Sequence, residues 1–226
     1  MSERVLVIAS HPDDEVLGMA GTIAYHSSRG DDLRLVFLGN GVGARGEHNQ
    51  SEISTRLSSA ENAAQILGAT VEEVHDFPDN KLDSIPLLDV VQALELTKSR
   101  LKPTLVYTHH GGDLNIDHKI CYQAVLTAFR PQPTEPCSEI RCFEVNSSTE
   151  WAGTALSEAF VPNLFIDISR FEDKVIHSLR AYETEMRPFP HARSIEMVIQ
   201  SKKARGGQVG VAMADAFTVV RRLIRL

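Results

Sequence analysis

The sequence predicts an α/β protein whose mostly parallel sheet is flanked by helices and followed by a C-terminal elaboration. Short apolar runs alternate four times with longer segments of helical periodicity before residue 130, which is typical of strands joined by helical crossovers. With 226 residues, 42% of them hydrophobic and 23% charged, the chain can form one substantial core. We therefore expect a single domain over residues 1–226 with a Rossmann-like, doubly wound sheet.

The first strand is predicted at residues 5–9, where the run VLVIA is nearly unbroken and too short for a helix. Such a β-branched run is typical of a strand that is buried on both faces. A helix over 15–28 follows, in which Gly18 and Gly21 would let the backbone pack closely against the sheet. The polar residues between the two elements therefore lie at the carboxyl end of a buried strand.

The alternation of strands and helices continues to the end of the chain. Ser194 begins a late helix, which we expect to end at residues 205–207, RGG. Trp151 is expected to pack inside the protein. The other predicted strands are 33–38, 71–77, 105–107, 140–145, 164–168 and 216–224, and the other predicted helices are 51–67, 85–101, 117–129 and 170–183.

A glycine-rich loop, GNGVGARG at 39–46, follows the second predicted strand. It lacks the Lys-Ser/Thr ending of a P-loop and the G-x-G-x-x-G spacing of a dinucleotide-binding loop. We therefore interpret this loop as the flexible rim of a site rather than as a phosphate-binding loop.

The first concentration of polar side chains comes directly after the first strand, where His11, Asp13 and Asp14 lie together. An imidazole and a carboxylate three residues apart suit a divalent ion, and a second carboxylate beside them suits a general base. The alternative is that the two aspartates only cap the following helix, whose N-terminus favours acidic residues. Three ionisable groups crowded after a buried strand favour the chemical interpretation.

A second concentration of polar residues, HHGGDLNIDH at 109–118, follows the predicted strand at 105–107. In the first turn of the next helix, His118 would point back over the sheet edge that carries His11. A metal bound by His11, Asp14 and His118 would keep one position open for water, as catalytic zinc does. The alternative to metal binding, for any one histidine of this segment, is a capping or solvent-facing role. We expect that role for His109.

Other candidate residues are less firmly indicated. Arg56 lies off the apolar stripe of its predicted helix, so its spacing alone indicates a solvated surface cation. Asp79, in the tripeptide PDN after a predicted strand, is either another site carboxylate or an ordinary turn residue. His191 and Arg193, in the loop RPFPHARS, could face a substrate or cap the next helix.

Composition argues against several classes of function. A formal net charge of −7 leaves no broad basic stripe for a nucleic acid. The first apolar run is too short for a signal-peptide core, and no run approaches the length of a membrane span. The three cysteines form no C-x-x-C pair, so any metal must be bound by histidine and carboxylate. We therefore expect a cytoplasmic protein with no nucleic-acid partner and no membrane span, and homo-oligomerisation stays open.

Two of these segments also carry a family resemblance. SHPDDE at 10–15 and NIDH at 115–118 resemble the zinc-dependent N-acetylglucosaminyl deacetylases, which are called the LmbE-like or PIG-L family. The likeness spans nearly the whole chain. It extends through TRLSSAENAAQILGA at 55–69, FPDN at 77–80, RPFPHARS at 187–194 and GVAMADAF at 210–217.

The resemblance implies a metal site and a set of substrate contacts. His11, Asp14 and His118 would bind Zn²⁺, with another divalent ion such as Fe²⁺ as the alternative. Arg56 and Asp79 would contact hydroxyl groups of a sugar, which replaces the surface role that spacing alone indicated for Arg56. The implied substrate is an N-acetylated amino sugar, a nucleotide sugar or another glycoconjugate.

The resemblance also implies catalytic roles, with one departure from the family pattern. Asp13 would be the general base, and Asp117 is assigned to the catalytic set with it. Many members carry His-Pro-Asp-His where this chain has NIDH, so Asn115 replaces the histidine thought to stabilise the oxyanion or protonate the amine. Asparagine can donate a hydrogen bond but cannot supply a proton. We therefore favour Asp13 acting twice, as base and then as acid. His110 and His191, which are assigned to the substrate-binding set with Arg56 and Asp79, are the alternative proton donors.

The predicted reaction is hydrolysis of an acetamide group on a sugar by metal-activated water. Two other functions stay open. A metal-dependent phosphoesterase would be expected to offer more carboxylates for two metal ions. A non-catalytic α/β module that binds a nucleotide at the glycine-rich loop would be indifferent to metal removal.

Overall fold

A computed structural model describes residues 2–43, 50–153 and 158–224, and every structural statement below refers to these residues. It confirms the predicted α/β architecture, with one mostly parallel sheet and helices packed against it. No helix in these ranges combines the length and the apolar character needed to cross a membrane. The strands are β1 (Arg4–Ala9), β2 (Asp32–Phe37), β3 (Thr70–Val74), β4 (Leu105–His109), β5 (Glu139–Phe143), β6 (Leu164–Asp167) and β7 (Ala214–Arg222), and the helices are α1 (Asp14–Ser28), α2 (Gln50–Leu67), α3 (Leu87–Leu101), α4 (Ile116–Ala128), α5 (Glu172–Ala181) and α6 (Ile195–Val209).

The order of the seven strands, β3-β2-β1-β4-β5-β7-β6, places the two polar segments side by side. Strand β1 is parallel to both of its neighbours, β2 and β4. The chain moves outward from β1 to β3 and then returns to β4 on the other side of β1. Such a reversal opens a crevice at the carboxyl ends of the two strands, where ligands bind in open α/β sheets. Strand β7 is antiparallel to β5 and β6 and completes the sheet.

Strand β1 is buried on both faces, as its sequence predicts. Val5 and Val7 pack into the core beneath α1, whereas Leu6 and Ile8 pack into the core beneath α3 and α4. Full burial of each such side chain contributes roughly 1.5–3 kcal/mol relative to an exposed position. The strand therefore gives the residues that follow it a rigid base.

Helix α1 packs closely against the rest of the protein at its two glycines, which confirms the prediction made for them. A Cβ on Gly18 would lie 2.5 Å from the ring of Phe143, and one on Gly21 would lie 2.5 Å from Ile168. Either contact is shorter than real Cβ atoms tolerate. A larger residue at either position would therefore push α1, and the polar residues at its N-terminus, away from the sheet.

Helix α6 begins after its N-cap Ser194 as predicted, but it does not end at residues 205–207. Gly206 serves packing instead, because a Cβ there would lie 2.7 Å from the backbone nitrogen of Met213. The helix ends before Gly210, whose φ of 78° is the left-handed conformation common after a helix C-terminus. The predicted end of the helix was wrong because a glycine inside a helix can also allow close contact with a neighbouring segment.

Candidate metal centre and active site

The side chains that follow β1 and β4 meet at the carboxyl edge of the sheet. His11 Nδ1 lies 3.4 Å from Asp14 Oδ2, and His118 Nε2 lies 3.3 Å from Asp14 Oδ1. All three residues are buried, and one ligand atom from each lies within 4.8 Å of the others. The structure thus brings together the three residues predicted as metal ligands, at a spacing that one ion can bridge.

The environment of the shared carboxylate fits a divalent cation. Asp14 Oδ1 is buried and makes no hydrogen bond within the described part of the chain, although buried polar atoms are normally paired. Two imidazole nitrogens and one carboxylate are a donor set typical of catalytic zinc. The residues present therefore fit the metal that the resemblance implies.

Each histidine faces a carboxylate at its second ring nitrogen. His11 Nε2 lies 2.9 Å from Asp117 Oδ2 and 3.0 Å from Asp79 Oδ1. His118 Nδ1 lies 3.2 Å from Asp113 Oδ1. Carboxylates in this position orient the ring of a metal-binding histidine and fix its tautomer.

Asp113 is a site residue to which the sequence assigned no role. It accepts hydrogen bonds from Thr149 Oγ1 at 2.6 Å, from Ser148 Oγ, and from the backbone N–H of Asn115 at 2.8 Å. Burial raises its pKa, but His118 and the two hydroxyl groups outweigh burial and lower the pKa to about 2. Asp113 is therefore ionised and fixed. A histidine ligand needs such an acceptor, but the sequence does not show which nearby residue supplies it.

The carboxylates also control the protonation of the two histidines. Burial lowers the pKa of His118, but Asp14 and Asp113 outweigh burial and raise it to about 9. The pKa of His11 is likewise raised well above 6.5, because its contacts with Asp117, Asp14 and Asp79 outweigh desolvation. In the metal-free protein both rings are therefore protonated at neutral pH, and a bound cation must displace these protons.

Asp13 lies beside this cluster and does not act as a helix cap. It occupies the N-cap position of α1, but its side chain makes no capping hydrogen bond. Its Oδ2 accepts from Arg193 Nη1 at 2.9 Å and lies 3.5 Å from Arg56 Nη1. Burial raises the pKa of Asp13, and the two guanidinium groups oppose part of this effect. A carboxyl with a raised pKa is suited to take and return a proton.

Arg56 is not the surface cation that its spacing indicated. The side chain is buried, donates to the backbone oxygen of Pro12 at 2.6 Å, and pairs with Glu185. Arg193, which is half-buried, also lies 3.6 Å from Glu185, so two arginines and two carboxylates form a network that includes Asp13. Glu185 was not expected at the site, because its position after α5 carries no recognisable motif.

The segment NIDH supplies two residues whose contacts are mainly structural. Asp117 accepts hydrogen bonds from the backbone N–H groups of Asn80 at 2.6 Å and Leu82 at 3.0 Å, besides its contact with His11. Asn115 is the N-cap of α4, and its Oδ1 accepts from the backbone of Asp117. Its Nδ2 donates to Asn80 Oδ1 at 3.2 Å. The predicted catalytic roles of Asp117 and Asn115 stay predictions.

His109 does not face solvent or cap a helix, so that expectation was wrong. It is fully buried, its Nε2 accepts a hydrogen bond from the backbone N–H of Ser10 at 2.8 Å, and its ring stacks on His118 with centroids 3.9 Å apart. Burial lowers its pKa to about 3, so the ring is neutral. The reason is that β4 extends to residue 109, two residues further than its apolar run predicts.

The two histidines considered as proton donors are not part of the cluster. His110 Nε2 donates to the backbone oxygen of Glu158 at 2.9 Å, and its ring packs edge-on against Phe160. His191 is exposed and lies edge-on to Trp151, with ring centroids 5.8 Å apart. Trp151 itself, the last residue of a short 3₁₀ helix, is 52% exposed, so the expectation that it packs inside the protein was wrong.

The glycine-rich loop borders the cluster as far as the structure describes it. Residues 44–46 of the predicted rim lie outside the described residues. At Gly41, whose φ is 70°, a Cβ would lie 3.2 Å from Arg56 Nη1 and 3.3 Å from His11 Cβ. The loop backbone thus passes close to the site.

A family model and a relative of similar sequence identify the family of this chain. A family model described as PIG-L, GlcNAc-PI de-N-acetylase, matches residues 6–129, more than half of the chain. The chain is 26% identical over 202 residues to a probable N-acetyl-alpha-D-glucosaminyl L-malate deacetylase 2 of Bacillus subtilis (strain 168), with 82% of this chain and 84% of the relative covered.

Two solved structures share the fold over nearly the whole chain. The N,N'-diacetylchitobiose deacetylase of Pyrococcus horikoshii has a TM-score of 0.74 at 20% identity, with 96% of this chain and 83% of that chain covered. The 4-carboxy-2-hydroxymuconate hydratase of Pseudomonas putida KT2440 has a TM-score of 0.78 at 22% identity, with 100% and 99% covered. At these identities the likeness shows the fold, and the reaction must be argued from the site.

Proposed function

Because this chain belongs to the PIG-L family, we propose that it is a zinc-dependent deacetylase, which hydrolyses the N-acetyl group of an N-acetylated amino sugar or sugar conjugate. The observation that carries this proposal is the buried group of His11, Asp14 and His118 with the carboxylate of Asp13 beside it. We further propose that residues 1–226 act as one domain in the cytoplasm.

One zinc ion would be held by His11, by Asp14 and by His118. When bound, zinc would supply Lewis-acid chemistry and would lower the pKa of a water molecule towards about 7. The protein holds the two imidazoles in place through Asp117 and Asp113, whose carboxylates contact the second nitrogen of each ring.

Asp13 takes the proton of the attacking water and returns it to the departing nitrogen. Its raised pKa supports both steps, and its bond from Arg193 supports a fixed orientation of the carboxylate. His110 is bonded to a loop backbone and His191 lies on the rim, so neither is preferred as the acid. Asn115 Nδ2 donates one of its two N–H groups to Asn80 Oδ1. The other N–H would donate to an oxyanion, a contact of a kind that contributes roughly 3 kcal/mol.

The surroundings of the cluster support a sugar as the substrate. Asp79 is buried next to His11, where its carboxylate would accept a bond from a sugar hydroxyl group. Arg56 would act on the substrate indirectly, because its guanidinium group lies 3.5 Å from the carboxylate of Asp13. The exposed ring of Trp151, with His191 against its edge, offers an apolar face for a sugar ring at the rim. The names of the two deacetylases above add that an N-acetylglucosamine unit with a second group attached is the class to test first.

A two-metal phosphoesterase has less support. His11, Asp79 and Asp117 form a second group with the spacing of metal ligands, but this group shares His11 with the first. The oxygens of Asp117 already accept from His11 and from the backbone at Asn80 and Leu82. We therefore interpret the second group as support for the ligand His11 rather than as a second ion site.

The proposal is tested by loading the protein with zinc and measuring acetate and free amine over a panel of N-acetylated sugars, malate conjugates and nucleotide sugars. We expect equal amounts of the two products, one zinc per chain, and loss of activity with a chelator that zinc reverses. Phosphate release, hydration of an unsaturated dicarboxylate, or binding of NAD or ATP in the presence of chelator would indicate another function. Absence of acetate over the whole panel would overturn the proposal.

A further inference from the structure

The backbone at Asp13 has a conformation that few residues other than glycine adopt. Its φ is 123° and its ψ is −26°. Backbones held in such sparsely populated regions are strained and persist only where the surroundings hold them in place. The contacts that hold this backbone therefore decide where the Asp13 carboxylate points.

Glu15 makes the contact that fixes this turn. Its Oε2 accepts a hydrogen bond from the backbone N–H of Asp13 at 3.0 Å. Its Oε1 accepts a second bond from the hydroxyl of Tyr182 at 2.8 Å. Both side chains are fully buried. A chain of two bonds thus links the residue at the C-terminal end of α5 to the strained backbone at the start of α1.

A purely structural role does not account for a carboxyl group at this position. Burying a carboxyl group costs free energy that an apolar side chain of similar size does not incur. The strained turn accounts for the carboxyl group of Glu15. One of its oxygens accepts from the N–H of Asp13 while the other accepts from Tyr182, and an apolar side chain can form neither bond.

We propose that Glu15 and Tyr182 are positioning residues, which hold the backbone of Asp13 so that its carboxylate faces the reacting groups. Neither residue belongs to the ligand set or needs to touch the substrate. The inference rests on the proposed function, in which Asp13 is the base and acid.

The substitutions Glu15→Gln and Glu15→Met separate hydrogen bonding from packing. In Glu15→Gln, the amide oxygen can accept from Asp13 and the amide nitrogen can donate to the Tyr182 oxygen, so we expect kcat to stay within about threefold of the wild type. Glu15→Met fills the space without either bond. We expect its kcat to fall by about 10²-fold, the effect of a misplaced catalytic group, with KM and zinc content unchanged.

Tyr182→Phe and Tyr107→Phe form a matched pair. Tyr107 is also fully buried and bonded at its hydroxyl, by Arg141 at 2.6 Å and His26 at 2.9 Å, but these partners do not contact Asp13. Loss of the hydroxyl should lower the denaturant midpoint of both variants. Only Tyr182→Phe should lower kcat, by up to about tenfold, the effect of one lost hydrogen bond.

The inference is overturned if zinc-loaded, folded Glu15→Met keeps wild-type kcat, or if Glu15→Gln loses as much activity as Glu15→Met. Should Glu15→Met not fold, an equal kcat in Tyr182→Phe and Tyr107→Phe overturns it. A crystal structure of Tyr182→Phe or Glu15→Met with Asp13 unmoved also overturns it, whatever the activity. If the wild-type protein releases no acetate from any substrate, the proposed function has failed, and that crystal structure still decides the positioning role.

Discussion

Replacing Asp113 by asparagine should weaken zinc binding although Asp113 is not a proposed ligand. Its pKa of about 2, against 3.8 for a free carboxyl, corresponds to about 2 kcal/mol of preference for the ionised form. Asparagine keeps the size of the side chain and one acceptor oxygen, so one of the Ser148 and Thr149 hydroxyls can still donate to it and the other can turn to accept from the amide. It removes the charge that His118 Nδ1 faces at 3.2 Å. Loss of such a partner typically lowers metal affinity by about 10- to 100-fold.

The zinc dissociation constant can be measured by competition with a chromogenic chelator at one fixed pH. Asp31→Asn is the matched control, because Asp31 also binds a buried histidine, with its Oδ2 2.7 Å from His26 Nδ1. That pair lies apart from the cluster, so the control should bind zinc as the wild type does. The reasoning is refuted if Asp113→Asn is folded and binds zinc within twofold of the wild type, or if Asp31→Asn is weakened equally.

Three further outcomes are expected. Asp13→Asn should lower acetate release by about 10³-fold while elemental analysis still finds zinc, and full activity would contradict the role of Asp13. In chelator, the free energy of unfolding should fall as pH rises from 6.5 to 9: the folded-state pKa of His118, about 9, exceeds its unfolded value of 6.5. The stabilisation that protonated His118 gives the fold is therefore complete below pH 6.5 and is lost as the pH rises through 9. The loss amounts to roughly 3 kcal/mol. Urea unfolding measures this, and a flat profile would contradict it. Trp151→Ala should raise KM up to about tenfold with kcat unchanged, whereas Leu96→Ala, at another exposed apolar residue, should leave both unchanged.

The parts of the protein that the sequence predicted well depend on neighbouring residues. The apolar run of β1 indicates its own burial, and His11 and Asp14 follow it within one turn. His118 follows the next polar segment in the same way. Because parallel strands deliver their carboxyl ends to one edge, local patterns were enough to bring these three residues together.

The errors concern residues whose surroundings come from distant segments. Arg56 is buried because Glu185, far along the chain, lies against it. His109 is buried because β4 continues past its apolar run. Trp151 is exposed although its residue type favours the interior. For Arg56 and His109, contacts with other segments of the chain decide the environment, and periodicity within one helix or strand carries no information about it.

The reversal of strand order next to β1 has a consequence for how the protein tolerates change. Residues 16–115 leave the centre of the sheet, form β2 and β3 at one margin, and come back to β4. The imidazoles of His11 and His118 are therefore neighbours in space, although one precedes this long segment and the other follows it. A peptide inserted at an exposed turn of the segment would lengthen the chain between the two rings without moving either of them. Such positions are suitable for tags or fused domains, since the geometry of the cluster does not depend on the length of the chain that joins its halves.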